Sequence, residues 1–172
     1  HHLYIDKLEN GQEDAEQMEV SVAGRIMLRR VFGKLAFFTL QDKSGQIQLY
    51  LEKGRLGDSF KNVKDWTDAG DIIGVTGTLT KTDKGELSIY VRSWEMLTKA
   101  LSPLPEKWSG LQDREKRYRQ RHLDMISNEH VRNTFVSRSK IISLMRQKLD
   151  AMNFLEVETP ILQIQPGGAD AK

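Results

Sequence analysis

The chain contains no cysteine, which excludes disulfide staples and thiolate metal centres and makes a reducing, cytoplasmic setting the expectation. Long apolar runs are missing too: nothing approaches the roughly 20 consecutive apolar residues that carry a helix across a bilayer. No secretory apolar core, internal repeat or low-complexity tract stands out. His122 has no second histidine at ligand spacing, so no metal site is assigned. With 38% apolar and 29% charged residues, the composition is that of an ordinary soluble globular protein. Its 172 residues fit one compact domain plus part of another.

The net charge of +2 hides a division. Residues 1–20 carry Asp6, Glu9, Glu13, Asp14, Glu16 and Glu19 against Lys7. The remainder is therefore moderately basic, which suits a polyanionic partner without requiring one.

Strand patterns dominate from Val20 onwards. Val20, Val22, Ile26 and Leu28 alternate with Ser21, Ala23, Arg25, Met27 and Arg29, giving one long strand with a bend expected at Gly24. Gly33 and Lys34 turn the chain into a second strand over 35–40, Asp42 to Gly45 is hairpin chemistry, and 46–51 is a third strand. Leu56, Phe60, Val63 and Trp66 or Thr67 recur at helical spacing, predicting a short helix over 56–66. Strands over 71–79 and 86–96 follow, joined by a turn at 81–85.

Five strands with one helix between the third and fourth is the order of an OB-fold, a small Greek-key barrel. The expected fold class is thus mainly β with α. A leader occupies 1–19 as a loose segment or short helix, the OB-fold 20–100, and a linker carrying Pro103 and Pro105 runs over 101–112. Residues 113–172 begin a second, helical domain. There a basic helix over 113–126 holds Arg114, Lys116, Arg117, Arg119 and Arg121. Tyr118 and His122, four apart, are expected to pack. Ser127 or Asn128 caps the next helix, whose face is Val131, Phe135, Ile142, Met145, Leu149 and Met152, with Asn153 as its stop. A strand over 154–159 follows, and its lack of neighbours reads as the opening of a domain whose remainder lies past Lys172.

Alternation places Ala36, Phe38 and Leu40 inward with Ile47, Leu49 and Leu51, and leaves Phe37 outward beside Gln48 and Tyr50, with Arg29 or Arg30 in reach. An outward ring flanked by a guanidinium and an amide suits unpaired bases: the ring stacks while the polar groups read base edges or phosphate. The alternative is that Phe37 packs under another part of the chain. Glu86 either accepts from a base amino group or is a solvated edge charge. The basic helix contacts phosphates, bridges domains or subunits, or simply pairs with Asp113, Glu115 and Asp124.

Several separated segments, in order, resemble one family. Arg138-Ser-Lys-Ile-Ile142, a long helix and Phe154-Leu-Glu-Val-Glu-Thr-Pro160 are similar to the dimer-forming motif 1 of class II aminoacyl-tRNA synthetases. Arg117-Tyr-Arg-Gln-Arg-His-Leu-Asp124 resembles the subgroup with an N-terminal OB-fold, the lysine, aspartate and asparagine enzymes. Pro166-Gly-Gly-Ala169, Gly85-Glu-Leu-Ser-Ile89, the segment 34–42 and Leu101-Ser-Pro-Leu-Pro105 resemble the lysine branch, the glycine pair arguing against the other two.

The resemblance implies roles. Phe37 stacks on the central anticodon uridine of a lysine tRNA, with Arg30, Gln48 and Glu86 as polar partners and Arg29 as a phosphate contact. Pro160, with Phe135, Ile142 and Leu149, belongs to a homodimer interface, and Gly167 and Gly168 to a loop near bound lysine. The parent enzyme activates lysine with ATP and Mg2+ and transfers it to tRNA. The family's ATP and magnesium residues lie in motifs past Lys172, so these residues alone are expected to bind tRNA and not to catalyse. A reading from another class is a non-catalytic OB-fold module for single-stranded nucleic acid, separable by its base preference.

Overall fold

The computed structural model describes residues 7–16, 18–105, 111–162 and 164. It divides into two compact units, one ending at Leu104 and the other beginning at Pro105.

In the first unit, strands β1 (Glu19–Phe32), β2 (Leu35–Gln41), β3 (Gln46–Glu52), β4 (Ile72–Lys81) and β5 (Leu87–Thr98) close into a barrel in the order β1-β2-β3-β5-β4. β1 is long because it serves two neighbours, pairing through Glu19–Arg25 with β4 and through Arg25–Phe32 with β2. Gly24 sits at the changeover. A Cβ there would lie 2.6 Å from the Gln41 carbonyl oxygen, so only glycine allows the strands to cross this closely.

The expected inward set is buried except for Ile47, which is partly buried against the core. Ala36, Phe38, Leu40, Leu49 and Leu51 are at most 2% exposed, and Ile26, Ile73, Val75, Leu79, Leu87, Ile89 and Val91 complete the interior. The β2–β3 turn is organised by Asp42, whose carboxylate accepts from the Ser44 amide at 2.7 Å and the Gly45 amide at 3.1 Å.

The helix expected over 56–66 is two pieces, α1 (Lys53–Leu56) and α2 (Ser59–Trp66), parted at Gly57, whose φ of 58° ends the first. Leu56, Phe60 and Val63 enter the core. Thr67, not Trp66, closes this face: Thr67 is buried while Trp66 is 60% exposed. Neither helix nor loose coil describes the leader between residues 7 and 16. Glu13 bridges Thr80, and amide bonds from Gly11 to Lys81 and Asp14 to Leu79 carry the pairing of β4 past the start of β1. Leu8 joins the core. Residues 1–6 lie outside the described residues.

The second unit holds α3 (Arg114–Arg119), α4 (Arg121–Ser127) and α5 (Glu129–Ala151). The single basic helix expected over 113–126 is therefore broken at Gln120, and the two short pieces turn around the fully buried Asp124. Asn128 occupies the N-cap position of α5 without a side-chain capping bond, and its side-chain NH2 donates to Asp124 at 2.7 Å. Asn153, with φ 63°, stops α5. The Asn153 amide donates to the Asp150 carbonyl at 2.9 Å and the Phe154 amide to Leu149 at 3.0 Å, the two bonds of a Schellman stop.

Residues 154–160 form no strand. Their alternation fits one, but no described strand lies beside them to pair with, and pairing defines the element. Tyr118 and His122 do not pack together in an interior either; both are exposed. The linker region 106–110 lies outside the described residues.

Candidate nucleic-acid interface

A single extra residue arranges the outer face of the barrel. The β1–β2 register slips between Ile26 and Leu28, so Met27 is a bulge and the alternation reverses beyond it. Ile26 faces the interior with Leu40. After the bulge Arg29 is opposite the buried Phe38, and Arg30 is opposite Phe37. Without the bulge, Arg30 would point into the barrel.

Arg29 and Arg30 therefore have different fates. The Arg29 guanidinium lies 5.8 Å from the Phe38 ring centroid, donates to Thr67 Oγ1 at 3.3 Å, and donates to the Lys64 carbonyl. It fastens the end of α2, which corrects its expected place among the outward groups. Arg30 is exposed, with no partner among the described residues.

The row continues across the sheet. Phe37 is opposite Tyr50, and Tyr50 opposite Tyr90 on β5. Phe37 and Tyr50 stack with centroids 5.2 Å apart, Tyr50 and Tyr90 with centroids 4.8 Å apart. Burial and the neighbouring Glu52, which accepts the Tyr90 hydroxyl, push the Tyr90 phenol up to about 12, so it stays neutral and donates. The Arg55 guanidinium sits 3.8 Å from the Tyr90 centroid. It bonds Glu13 at 2.9 Å and Thr78 Oγ1 at 2.8 Å. Burial works against ionisation of Glu13, but hydrogen bonds from Thr78 and Arg55 outweigh it and hold the carboxyl below its usual value.

In the adjacent outward row, Gln48 is opposite Thr39 and Ser88. Its carbonyl accepts from the Ser88 hydroxyl at 2.9 Å, which leaves the amide NH2 facing out as a donor. Glu86 is not in β5 as expected; it ends the preceding turn, where Thr82 hydroxyl and backbone groups hold its main chain. Its carboxylate is exposed and unpaired among the described residues.

Arg30, Phe37 and Gln48 thus share the outer β1–β2–β3 face, and Glu86 ends the turn into β5 two residues before Ser88, the partner of Gln48. Two donors, an acceptor and a stacking ring are the groups that unpaired bases need. Sequence reasoning placed Tyr50 outward but gave it no role, and it missed Tyr90, whose alternation with Leu87, Ile89 and Val91 signals the outer face. Arg55 and Glu13 had no local signal.

In the second unit three of the five cations of the basic segment 113–126 are paired. Arg117 and Arg121 bond Asp124 at 2.9 and 2.5 Å, and Arg119 pairs with Glu115 at 2.7 Å. Arg121 also lies 5.0 Å from the Tyr118 centroid and 5.3 Å from that of Phe135. Phe135 therefore packs on α4, whereas Ile142, Leu149 and Pro160 are exposed. Gly167 and Gly168 lie outside the described residues.

Residues 20–97 match the family of OB-fold nucleic acid binding domains that carry the tRNA anti-codon label, and residues 113–172 match the class II (D, K and N) tRNA synthetases. The chain belongs to the class II tRNA synthetases of this group. Among similar proteins, the lysine–tRNA ligase of Prochlorococcus marinus strain MIT 9312 is 58% identical over 98% of this synthetase chain and 34% of its own length. That of Synechococcus sp. strain RCC307 is 57% identical over 96% of the chain and 32% of its own length. That of Nostoc punctiforme is 55% identical over 96% and 30%. The synthetase chain spans about a third of the length of the curated relatives it matches.

Proposed function

We propose that this chain is the anticodon-reading part of a lysine–tRNA ligase, with Phe37 stacking on the central base of a uridine-rich anticodon. Arg30 contacts the same nucleotide or its phosphate, the Gln48 amide donates to a base carbonyl, and the Glu86 carboxylate accepts from a base amino or imino group. The observation that carries the reading is the outward Arg30–Phe37 pair beside Gln48 and Glu86, in a chain this similar to lysine–tRNA ligases. Arg29 is left out because its guanidinium is spent on α2.

The whole enzyme, on this reading, is a cytoplasmic homodimer that joins lysine to the 3′ end of its tRNA at the expense of ATP with Mg2+. Among the described residues no three His, Cys, Asp or Glu side chains converge as a metal ligand set. Pro160, Ile142 and Leu149 are the exposed apolar groups of the subunit interface; Phe135 supports it from behind through Arg121. Gly167 and Gly168 would line the lysine pocket.

The test is base discrimination. The chain should bind an RNA stem-loop with a lysine anticodon about tenfold more tightly than the same loop with its central uridine replaced by an abasic site, the scale of one lost stacking partner. Equal affinity for the two RNAs rejects the reading.

A further inference from the structure

The rings of Phe37, Tyr50 and Tyr90 stand on three neighbouring strands in one register row. Their centroid spacings of 5.2 and 4.8 Å and interplanar angles of 19° and 29° match the distance between paired strands, about 4.8 Å. The rings therefore rise from the sheet face to face, one per strand. A platform of rings lying flat would offer each face to a base. An upright ladder offers only edges, apart from the faces at its two ends.

One end is closed. The Arg55 guanidinium is 3.8 Å from the Tyr90 centroid and bonds Thr78 on β4, the strand beyond Tyr90. A gap of 4.8 Å between Tyr50 and Tyr90 has no room for it, so it covers the far face of Tyr90. Glu13 and Thr78 fix the guanidinium, and Glu52 fixes the Tyr90 hydroxyl. The other end is Phe37, whose far face looks along the row towards Arg30 on β1.

We propose that Arg55, Tyr90 and Tyr50 are positioning residues that hold Phe37 upright with only its β1-facing side available, so that a base enters as the fourth ring of the stack, between Phe37 and Arg30. This rests on the reading that the Phe37 face binds unpaired RNA, and adds the side of entry and the groups that set it. Immobilising a side chain on binding costs affinity; the ladder meets that cost during folding. It also gives the leader a part in recognition, because Glu13 holds the cation that closes the stack.

The experiment uses the whole chain and an RNA stem-loop with 2-aminopurine at the central loop position, whose emission is quenched by stacking. The uridine form of the loop supplies affinities, and thermal melting reports folding. Tyr50→Leu and Tyr90→Leu should weaken binding about fivefold, part of the value of a stacked base, and reduce the quenching. Tyr50→Phe and Tyr90→Phe, which keep the rings, should restore both. Arg55→Met, which leaves all rings in place but frees Tyr90, should weaken binding about threefold.

Leucine variants that melt like the parent and match it in affinity and quenching overturn the ladder. Should they fail to fold, parental affinity and quenching in Arg55→Met overturn it instead. Loss of binding in Phe37→Ala alongside either result keeps the underlying reading and sinks only the ladder. No loss in Phe37→Ala sinks both.

Discussion

Replacing Phe37 by leucine separates stacking from mere apolar contact. The ring is partly exposed, with one face on Tyr50 at 5.2 Å and the other unoccupied by any described ring. Leucine keeps most of the apolar surface against β2 and β3 but has no π-face. Folding stability should fall by about 0.5–1.5 kcal/mol, the value of one aromatic pair beyond its area. The larger effect is on RNA. A stacked base is worth about 1–3 kcal/mol, so the uridine-rich stem-loop should bind roughly 5- to 150-fold more weakly. Phe37 carries no charge, so the slope of log affinity against log salt should not change. Fluorescence anisotropy with labelled stem-loop at three salt concentrations reads both quantities. Parental affinity in Phe37→Leu, or a weaker affinity accompanied by a shallower salt slope, refutes the assignment of stacking to this ring.

Two further perturbations test the frame that holds the site. Gly77→Ala would place a Cβ 2.2 Å from the Tyr90 carbonyl oxygen and 2.9 Å from the Val91 Cα, both backbone, where β4 and β5 already slip register. The strands must part, so urea denaturation should show a loss of about 2–4 kcal/mol, and an unchanged midpoint would contradict the register. Asp124→Asn removes the buried charge that Arg117, Arg121 and Asn128 address, and should cost about 2–3 kcal/mol, moderated because both guanidinium side chains are a third exposed. Burial opposes ionisation of Asp124, but Asn128, Arg117 and the arginine charges hold its carboxyl below the usual value. Its contribution is therefore complete above the unfolded pKa of about 3.9 and lost as pH falls through the lower folded value. Helix content followed by circular dichroism during acid titration should show this loss in the parent and not in Asp124→Asn.

The barrel was legible because two-residue alternation is a direct imprint of burial: Ile47, Leu49 and Leu51 against Gln46, Gln48 and Tyr50 admit one inward set, and pairing with β2 adds Ala36, Phe38 and Leu40 to it. The bulge at Met27 was not, since an extra residue in a strand leaves no mark in composition. Leu28 continues the apolar alternation of Val20, Val22 and Ile26 in the sequence, and only pairing with β2 shows that it lies opposite Thr39 and which arginine faces Phe37. Arg55 reaches Tyr90 and Glu13 from distant parts of the chain, beyond any local pattern. The helix breaks at Gly57 and Gln120 failed for different reasons. Gly57 is a recognisable stop inside an apolar period, whereas Gln120 is a good helix former overridden by the pull of Arg117 and Arg121 on Asp124. The segment 154–159 shows the limit of patterning: a sequence can be suited to a strand, but a strand is a property of a pair.

The acidic leader poses an electrostatic question for a face that is to meet RNA, since its carboxylates would repel phosphate. Three of its described acids have local partners. Glu13 is neutralised by Arg55 at 2.9 Å, Asp14 accepts from the Glu16 and Met18 amides, and Glu19 lies 3.7 Å from Arg92. The paired charges gather at the β4 end of the ring row, where Arg55 has closed the stack. At the other end Arg30 is exposed and unpaired among the described residues. Cation compensated at one end and available at the other gives the row a direction. On the proposed reading a polyanion would be drawn to the β1 side, where Phe37 presents its open face, and the bulge at Met27 is the feature that puts charge and ring on the same side.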